Sequence, residues 1–440
     1  MKITDMTSEC IGKCLNYLSF DDLLRAAISN KKLNNAANLI YEQKYRSKRV
    51  EMHILSRLHS NYFMTENRFC FYSLRTSFQF LFCFGRQVNE IHISYIPRYV
   101  IPGENGVQNE NNVELTHRAI DYANDYCAES LRTIKFTRIQ DASRYMKRPF
   151  INLENLEFYD CNFTDLVEYN LLNALFPKVQ KLVLKTINKN LDQPCTLKFI
   201  EGRFAHLKSL HIESNSYSKF HHADEYCILK GNLVTAFRLN PQLKELDLDL
   251  FVNCHVFQSN DVLLVINYLQ NLDSLSLAID DTFCSLLDSS VPPLMYFRNL
   301  KKFSLNMQLS TESRAIQFTS HQLDTFELHG VDRFTNYEYE FLEKHPTITK
   351  LILRGGHFER LNLSRIAAAL PILEQLMIFD HFKLKIEEIV PHWSKFQSLK
   401  LLCFFHTKIV KDSDLKPLLI NGWHGRFCNS PNKFQIILKR

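Results

Sequence analysis

The residue types that most often carry chemistry are present in this sequence, but they form no recognisable catalytic or metal-binding pattern. The 17 histidines are scattered, and the adjacent pair His221 and His222 has neither a helical i, i+4 partner nor a nearby cysteine. Cys10 and Cys14 are the closest cysteines, and no C-x-x-C pair occurs. Phosphate-binding glycine loops, the H-E-x-x-H zinc motif and the nucleophile elbow are absent from the sequence. We therefore expect a protein that is not an enzyme and has no cofactor and no metal site.

Composition and charge favour an ordinary globular protein over a membrane protein or a nucleic-acid-binding protein. Apolar residues make up 45% of the chain and charged residues 23%, and the formal charge of +6 comes from basic residues interleaved with acidic ones. The start, MKITDMTSEC, lacks the apolar core of a signal peptide, and the dense apolar run at 78–84 is too short to span a bilayer. We therefore expect a cytoplasmic or nuclear protein whose cysteines are reduced.

The segment 153–163, LENLEFYDCNF, indicates how the chain places its side chains. Its apolar residues follow the frame L-x-x-L-x-L-x-x-C-x-L. Because side chains alternate along a strand, Leu156 and Phe158 are expected to point into a core while Glu157 points away from it. Cys161 is expected to turn inward as a small hydrophobic residue.

This frame recurs along the chain, and each lead residue is followed by apolar residues three and five positions later. The leads run from residue 88 to residue 399 in eleven intervals, a mean of about 28 residues that fits leucine-rich repeats. They are Val88, Leu131, Leu153, Val179, Leu207, Leu243, Leu272, Leu300, Leu323, Ile348, Leu373 and Leu399.

Two further residue types recur at fixed distances from the leads. Proline stands two residues before a lead, where it ends the preceding helix, and an apolar residue stands three before. The prolines are Pro177, Pro241, Pro346 and Pro371, and the apolar residues are Phe150, Phe176, Phe204, Leu269, Phe297, Leu370 and Phe396. Independent coincidences of this kind strongly favour a true repeat.

The spacing predicts an α/β fold, a leucine-rich-repeat solenoid with parallel strands on a concave face and helices on a convex face. Alternation of apolar and polar residues at 49–54 predicts a first, capping strand, and residues 69–87 are predicted to form a helix and a turn. The polar, Asn-rich stretch 101–114 is predicted to be an exposed insertion, either a flexible loop or a binding loop.

The first residues have a different pattern, typical of a small helical module. Ile11, Leu15 and Leu18 share one helical face, and a second helix with Leu24 and Ile28 follows a break at 19–21. Either Asp21 or Asp22 is expected to cap the second helix, and a third helix is expected to end in the charged run EQKYRSKR. The basic residues of that run, Lys44, Arg46, Lys48 and Arg49, are either a nuclear-import patch or a solvated helix face.

Residues 6–37, MTSECIGKCLNYLSFDDLLRAAISNKKLNNAA, resemble an F-box, the module that docks onto the Skp-type adaptor of cullin-RING ubiquitin ligases. Thr7, Asn30 and Leu33 stand where the family has Pro, Cys and Trp. The resemblance implies two domains, an F-box-like module at 1–49 and the repeats at 50–440. It also implies these adaptor-binding residues: Met6, Glu9, Ile11, Leu15, Leu18, Leu23, Leu24, Ile28 and Leu33.

The repeat frame also predicts which side chains face the concave side. In the middle of the array they form an acidic group, Glu213, Glu245, Asp247 and Asp249. Towards the C-terminus they become apolar and aromatic, which is typical of a partner surface. This second group contains Ile352, Arg354, Met377, Phe379, Leu401, Cys403 and Phe405. The alternative is that the C-terminal segment 421–440 folds back and covers it.

The function that the resemblance implies is a substrate receptor of a cullin-RING ubiquitin ligase. The helices would bind the Skp-type adaptor, and the concave face would bind an unknown client protein through Glu245, Asp247, Asp249 and the apolar group. The alternative is a leucine-rich-repeat interaction scaffold or inhibitor whose N-terminal helices only cap the array. Adaptor binding separates the two, and no nucleic acid or membrane is expected as a partner.

Overall fold

A computed structural model shows a mixed α/β chain of two compact units, 1–207 and 208–440. It describes residues 6–53, 62–95, 108–139, 146–161, 173–186, 203–214, 235–250, 268–280, 295–308, 318–330, 334, 336–355, 361–379, 392, 395–405, 424–430 and 433–439. His221 and His222 lie outside these ranges.

Three helices open the chain, and each begins at a polar capping residue. Helices α1 (Ser8–Leu15), α2 (Phe20–Ser29) and α3 (Lys31–Tyr45) follow Thr7, Ser19 and Asn30, whose side chains accept backbone N–H bonds of the first turn. The prediction that Asp21 or Asp22 caps α2 is wrong. The cap is Ser19, because its oxygen accepts the Asp22 N–H at 3.2 Å, and both aspartates lie inside the first turn.

The helical module shares its core with the strands that follow it. The buried Phe20 ring lies 4.6 Å from Phe69 of strand β3 (Arg68–Phe71), and the buried Tyr41 ring stacks 4.8 Å from Phe84 of helix α4 (Leu74–Phe84). Offset or tilted aromatic pairs at such distances add to the free energy of apolar burial. The three helices are therefore packed onto the first strands. The predicted domain boundary at residue 49 stays a prediction.

The first unit continues with strands and two longer helices. The strands are β1 (Arg49–His53), β2 (Tyr62–Met64), β3 (Arg68–Phe71), β4 (Glu90–Ser94), β5 (Thr133–Thr137), β6 (Asn155–Tyr159) and β7 (Lys181–Thr186). Helix α4 (Leu74–Phe84) with a short 3-10 turn (Gly85–Gln87) precedes β4, and helix α5 (Gln108–Cys127) precedes β5. A strand is confirmed at β1, but the prediction that it caps the sheet is wrong, because β1 pairs with β3 on one side and with β4 on the other. The predicted helix and turn at 69–87 begins only after β3.

The strands of this unit lie side by side in the order β2, β3, β1, β4, β5, β6, β7. Strand β2 is antiparallel to β3, and the other neighbours are parallel. A parallel pair needs a crossover connection, which α4 and α5 supply for β4 and β5. Strand β1 therefore lies between β3 and β4.

The second unit is a longer parallel array that ends in an antiparallel hairpin. The strands are β8 (Ser209–Ser214), β9 (Glu245–Leu250), β10 (Ser274–Asp280), β11 (Met295–Tyr296), β12 (Lys302–Gln308), β13 (Phe318–Thr319), β14 (Thr325–His329), β15 (Lys350–Arg354), β16 (Gln375–Phe379), β17 (Leu401–Phe405), β18 (His424–Ser430) and β19 (Lys433–Lys439). Strands β8, β9, β10, β12, β14, β15, β16 and β17 are parallel neighbours in that order. Strand β19 pairs antiparallel with β17 and with β18, and β11 and β13 form a separate parallel pair.

The second unit also contains helices between its strands. Helices α6 (Asn336–Lys344) and α7 (Leu363–Ala369) precede β15 and β16, which agrees with the expected helices between strands of the repeat.

The repeat frame is confirmed at every lead residue. All twelve are at most 1% exposed, and a strand begins two residues after each of them. The turns are tied together by a repeated pair of backbone bonds: the N–H groups of Lys244 and Glu245 both donate to the Lys208 carbonyl, and those of Asp273 and Ser274 both donate to the Lys244 carbonyl. The chain therefore forms a parallel-strand solenoid.

The prediction of an insertion at 101–114 is wrong for its second half. Helix α5 begins at Gln108, so residues 108–114 are helical, and 101–107 lie outside the described residues. The helix is anchored further along by the fully buried Ile120 and Cys127, and an i, i+4 ion pair joins Glu114 to Arg118 at 2.6 Å. Tertiary packing of its C-terminal half thus extends a helix through a polar sequence.

Within the described residues, every helix is either too short or too polar to cross a membrane.

Candidate functional site: an N-terminal helical surface and an open strand face

The residues predicted to bind an adaptor divide into a buried group and an accessible group. Ile11, Leu15, Leu23 and Leu24 are buried between the three helices and form the core of the module. The accessible group contains Met6, Glu9, Leu18, Ile28 and Leu33. In this conformation only the accessible group can contact a partner, so the buried leucines act by holding the helices together.

Large apolar side chains are exposed on this module. Tyr17 is 89% exposed, Leu18 36%, Ile28 43% and Leu39 46%. We call these four residues the helical surface. The sequence reading missed Tyr17 and Leu39, although Leu39 could have been found because it lies outside the buried face formed by Ala36, Ala37, Ile40 and Tyr41.

The residues that depart from the F-box pattern have local structural roles. Thr7 accepts the Cys10 N–H at 3.4 Å and caps α1, and Asn30 accepts the Lys32 N–H at 2.8 Å and caps α3. Asn30 also has extended backbone angles, which end α2 directly before α3 begins. Two of the three departures, Thr7 and Asn30, therefore each supply a hydrogen-bonding side chain where a helix starts, and the third, Leu33, lies inside α3.

The basic run at the end of α3 is held by local contacts. The Lys44 ammonium donates to the Asn16 carbonyl at 2.5 Å, Arg46 pairs with Glu42 at 2.7 Å, and Lys48 donates to the Thr65 carbonyl at 2.5 Å. These contacts favour a structural role, connecting α3 to the end of α1 and to the turn before β3.

The open strand face consists of residues two, four and six positions after each lead. On strands β8 and β9 this face contains the predicted acidic group. His211 lies between carboxylates of that group, and the sequence pattern does not identify it as part of the group. His211 lies 2.5 Å from Asp247 through Nδ1 and 3.4 Å from Glu213 through Nε2. The group is therefore a mixed cluster of histidine and carboxylates. Asp249 is the register partner of Glu213 in β9, and Glu245 lies exposed at the start of that strand.

The predicted apolar group lies on neighbouring strands, but not all of it is exposed. Ile352, Met377 and Cys403 are register partners across β15, β16 and β17. Ile352 and Cys403 are only 3% exposed, so the expectation that they form part of an exposed patch is wrong. A side chain on this face is shielded when long neighbours flank it on both adjacent strands, which the repeat frame alone cannot show.

The accessible part of this group is small and includes a cation. Arg354 is exposed, and its guanidinium lies 4.4 Å from the centre of the Phe379 ring. Phe379, Met377 and Leu401 are partly exposed, and the side chain of Phe405 lies outside the described ones. We call Arg354, Met377, Phe379 and Leu401 the C-terminal patch.

The C-terminal segment approaches these strands at their edge. Strand β19 pairs with β17 in antiparallel register, so Leu401 faces Lys439 and Cys403 faces Ile437. This pairing satisfies the edge of the last parallel strand, which would otherwise present unpaired backbone groups. The segment thus pairs at the edge of the last parallel strand. That it covers the apolar group stays a prediction.

A charged cluster lies between these two groups. The Lys302 ammonium is 3.1 Å from Glu327, and the His329 imidazole is 3.6 Å from the other carboxylate oxygen. The nearby His329 and Lys302 lower the pKa of the Glu327 carboxyl to about 2, although partial burial opposes this shift. Glu327 is therefore ionised at neutral pH and binds its two neighbours across β12 and β14.

A cleft of about 480 Å³ lies at the end of α5 and carries charges of both signs. Its lining includes Arg86, Arg148, Asp125 and Glu129, so it has no electrostatic preference for one charged ligand.

Comparison with known proteins provides no assignment: no protein-family model matches the chain, and no curated protein matches it either. The accessible geometry therefore consists of two candidate binding surfaces, the helical surface and the open strand face.

Proposed function

We propose that the protein is the substrate-recognition subunit of an SCF-type cullin-RING ubiquitin ligase. In this proposal the N-terminal helices bind a Skp-type adaptor, the open strand face binds a client protein, and other subunits transfer ubiquitin. The chain itself would catalyse no step. It would act by raising the effective concentration of client lysines near the ubiquitin carrier.

The observation that carries the proposal is the exposure of large apolar side chains on the helical surface. Tyr17 and Ile28 are 89% and 43% exposed in a module whose buried residues already form a closed core. Exposed aromatic and aliphatic side chains grouped on one small module are typical of protein-binding surfaces, where a few such anchors supply most of the affinity.

The packing of the module supports a receptor role. Because Phe20 and Tyr41 pack against Phe69 and Phe84, a protein bound to α1 and α2 would be firmly connected to β3 and α4. A receptor needs such a fixed connection, since a flexible linker lowers the effective concentration of the client.

The test is adaptor binding by the purified full-length chain. Ile28→Asp places a charge in the helical surface, and we expect it to weaken binding to a Skp-type adaptor by at least roughly tenfold, as for a hot-spot residue. Ile372→Asp is the matched control, because Ile372 is 46% exposed but lies outside the helical module, directly before β16. Equal affinity of both variants would contradict the proposed site.

A leucine-rich-repeat scaffold or inhibitor is the second candidate, and the continuous aromatic core favours it. A terminal repeat needs a cap, and helices that share an aromatic core with β3 and α4 could serve as one. If the wild-type chain fails to bind any Skp-type adaptor, the helices are a cap and this second function is the better one.

A further inference from the structure

Three side chains of different ligand types converge at the start of the first unit. Glu51 and His53 are two residues apart on β1 and point to the same face, and Cys70 is the register partner of Glu51 on β3. The Glu51 carboxylate oxygen Oε2 lies 3.2 Å from His53 Nε2 and 3.4 Å from Cys70 Sγ. All three ligand atoms lie within 4.8 Å of one another.

We propose that Glu51, His53 and Cys70 form a binding site for one zinc-class transition-metal ion. Carboxylate oxygen, imidazole nitrogen and thiolate sulfur are the ligands of Zn²⁺, and in a tetrahedral site their atoms would lie about 3.3 to 3.6 Å apart. The two distances to Glu51 agree with that spacing, and two strands of one sheet supply the ligands. A water molecule would complete the fourth position.

His53 is held in the orientation that a metal ligand needs. Its Nδ1 is hydrogen-bonded to the Ser94 hydroxyl on β4, so its Nε2 points at Glu51. Histidines that bind metals usually have such a partner on the other ring nitrogen, which fixes the ring and its tautomer.

The site is shielded on the side of Glu51 and Cys70. The Glu51 side chain is 6% exposed and Cys70 is 3% exposed, whereas His53 is 17% exposed. An ion would therefore enter past His53. On binding, the Cys70 thiol would lose its proton to solvent and form a metal–sulfur bond, and the Glu51 and His53 lone pairs would form the other two bonds.

Two arginines compete with a cation for Glu51. Arg68 lies 3.1 Å from Oε2 and Arg49 lies 3.5 Å from Oε1. A carboxylate has about four lone-pair positions, so Arg49 can keep its contact while Oε2 binds the ion, but the Arg68 contact must weaken. We therefore expect Arg68→Gln to strengthen metal binding several-fold, a result that a cluster made only for hydrogen bonding would not give.

The experiment is a Co²⁺ titration of the purified, reduced, metal-free full-length chain, because a cobalt–thiolate bond gives a near-ultraviolet charge-transfer band. We expect one equivalent of Co²⁺ to produce the band, Zn²⁺ to remove it, and Cys70→Ser and His53→Gln each to abolish it. The double variant Cys10→Ser, Cys14→Ser is the control, since those two thiols are exposed on α1. Circular dichroism checks that each variant is folded, and the less buried His53 position provides a second variant if Cys70→Ser fails to fold.

No band in the wild type would overturn the proposal, and so would a band that survives both Cys70→Ser and His53→Gln. A band lost only in the Cys10, Cys14 control would place the metal on surface thiols and would also overturn it. The outcome is independent of adaptor binding, so either proposal can fail alone.

Discussion

The N-terminal end of the chain and its C-terminal end complete a parallel array in different ways. At the N-terminal end, three helices with an aromatic core pack on β3 and α4, and the module still exposes Tyr17 and Ile28. At the C-terminal end, a hairpin pairs with β17, and Ile352 and Cys403 are buried although the repeat frame places them on the open strand face.

This difference indicates which end has the better-supported binding surface. Both ends solve the same problem, since the last turn of a solenoid must not leave its core or its backbone groups uncovered. Among the described side chains, the helical module leaves the large apolar residues Tyr17, Leu18, Ile28 and Leu39 exposed. Adaptor binding at the N-terminal end is therefore better supported than client binding at the C-terminal patch.

The largest loss of stability is expected from a substitution that disrupts the N-terminal aromatic core. Phe20 is 4% exposed and contacts the rings of Phe69 and Tyr45, so Phe20→Ala should lower the free energy of unfolding by about 3 to 5 kcal/mol. Phe82→Ala is the control, because Phe82 is 55% exposed on α4, and it should cost about 1 kcal/mol or less. Urea unfolding measures both, and equal effects would mean that the module does not share a core with the strands.

The next prediction concerns the pH dependence of the free energy of unfolding, and it tests the charged cluster on the strand face of the second unit. The pKa of Glu327 is lowered to about 2 by His329 and Lys302, against about 4.3 in an unfolded chain, so its contribution to stability is present above about pH 4.3 and is lost as the pH falls towards 2. We expect Glu327→Gln to cost roughly 2 to 3 kcal/mol at pH 7 and almost nothing at pH 2. A difference from wild type that stays constant between pH 7 and pH 2 in chemical denaturation would contradict this account.

A smaller effect tests the capping residues of the helical module. Asn30→Ala removes the side chain that accepts the Lys32 N–H and should cost about 1 kcal/mol. Asn35→Ala is the matched control, because Asn35 is exposed inside α3, where alanine is the better helix former. If Asn35→Ala proves as costly as Asn30→Ala in thermal unfolding, the cap contributes nothing.

The smallest effect concerns the C-terminal patch. Phe379→Ala removes the ring beneath Arg354, an accessible contact that should contribute only about 1 kcal/mol, whereas Ile352→Ala in the buried neighbouring position should cost about 2 to 5 kcal/mol. Chemical denaturation compares them. A loss at Phe379 as large as that at Ile352 would show that Phe379 is a core residue and is not available to a client.

The sequence predicted the solenoid well because its frame depends on local alternation and fixed spacing. Burial of leads such as Leu243 and Leu373 follows directly from those two properties. Two other features depend on tertiary contacts. Residues 108–114 are helical because α5 is anchored further along, and Ile352 is buried because of its neighbours in the sheet.

The Glu51, His53 and Cys70 cluster could not be found from the sequence for a related reason. The alternating pattern at 49–54 predicts the strand that carries Glu51 and His53, but the sequence predicts a helix and turn around Cys70, which lies on β3. Its position opposite Glu51 depends on β3 pairing with β1, which no local pattern within 69–87 indicates. The N-cap of α2 could not be assigned from the sequence either. Ser19, Asp21 and Asp22 are similarly good capping residues when each is considered alone.

Amide hydrogen exchange of the full-length chain, with and without a purified Skp-type adaptor, tests the central claim most directly. The account predicts that the adaptor slows exchange in peptides that cover Tyr17, Leu18 and Ile28, and that peptides from β15, β16 and β17 are unchanged. Protection confined to β15, β16 and β17, or no protection anywhere at saturating adaptor, would contradict it.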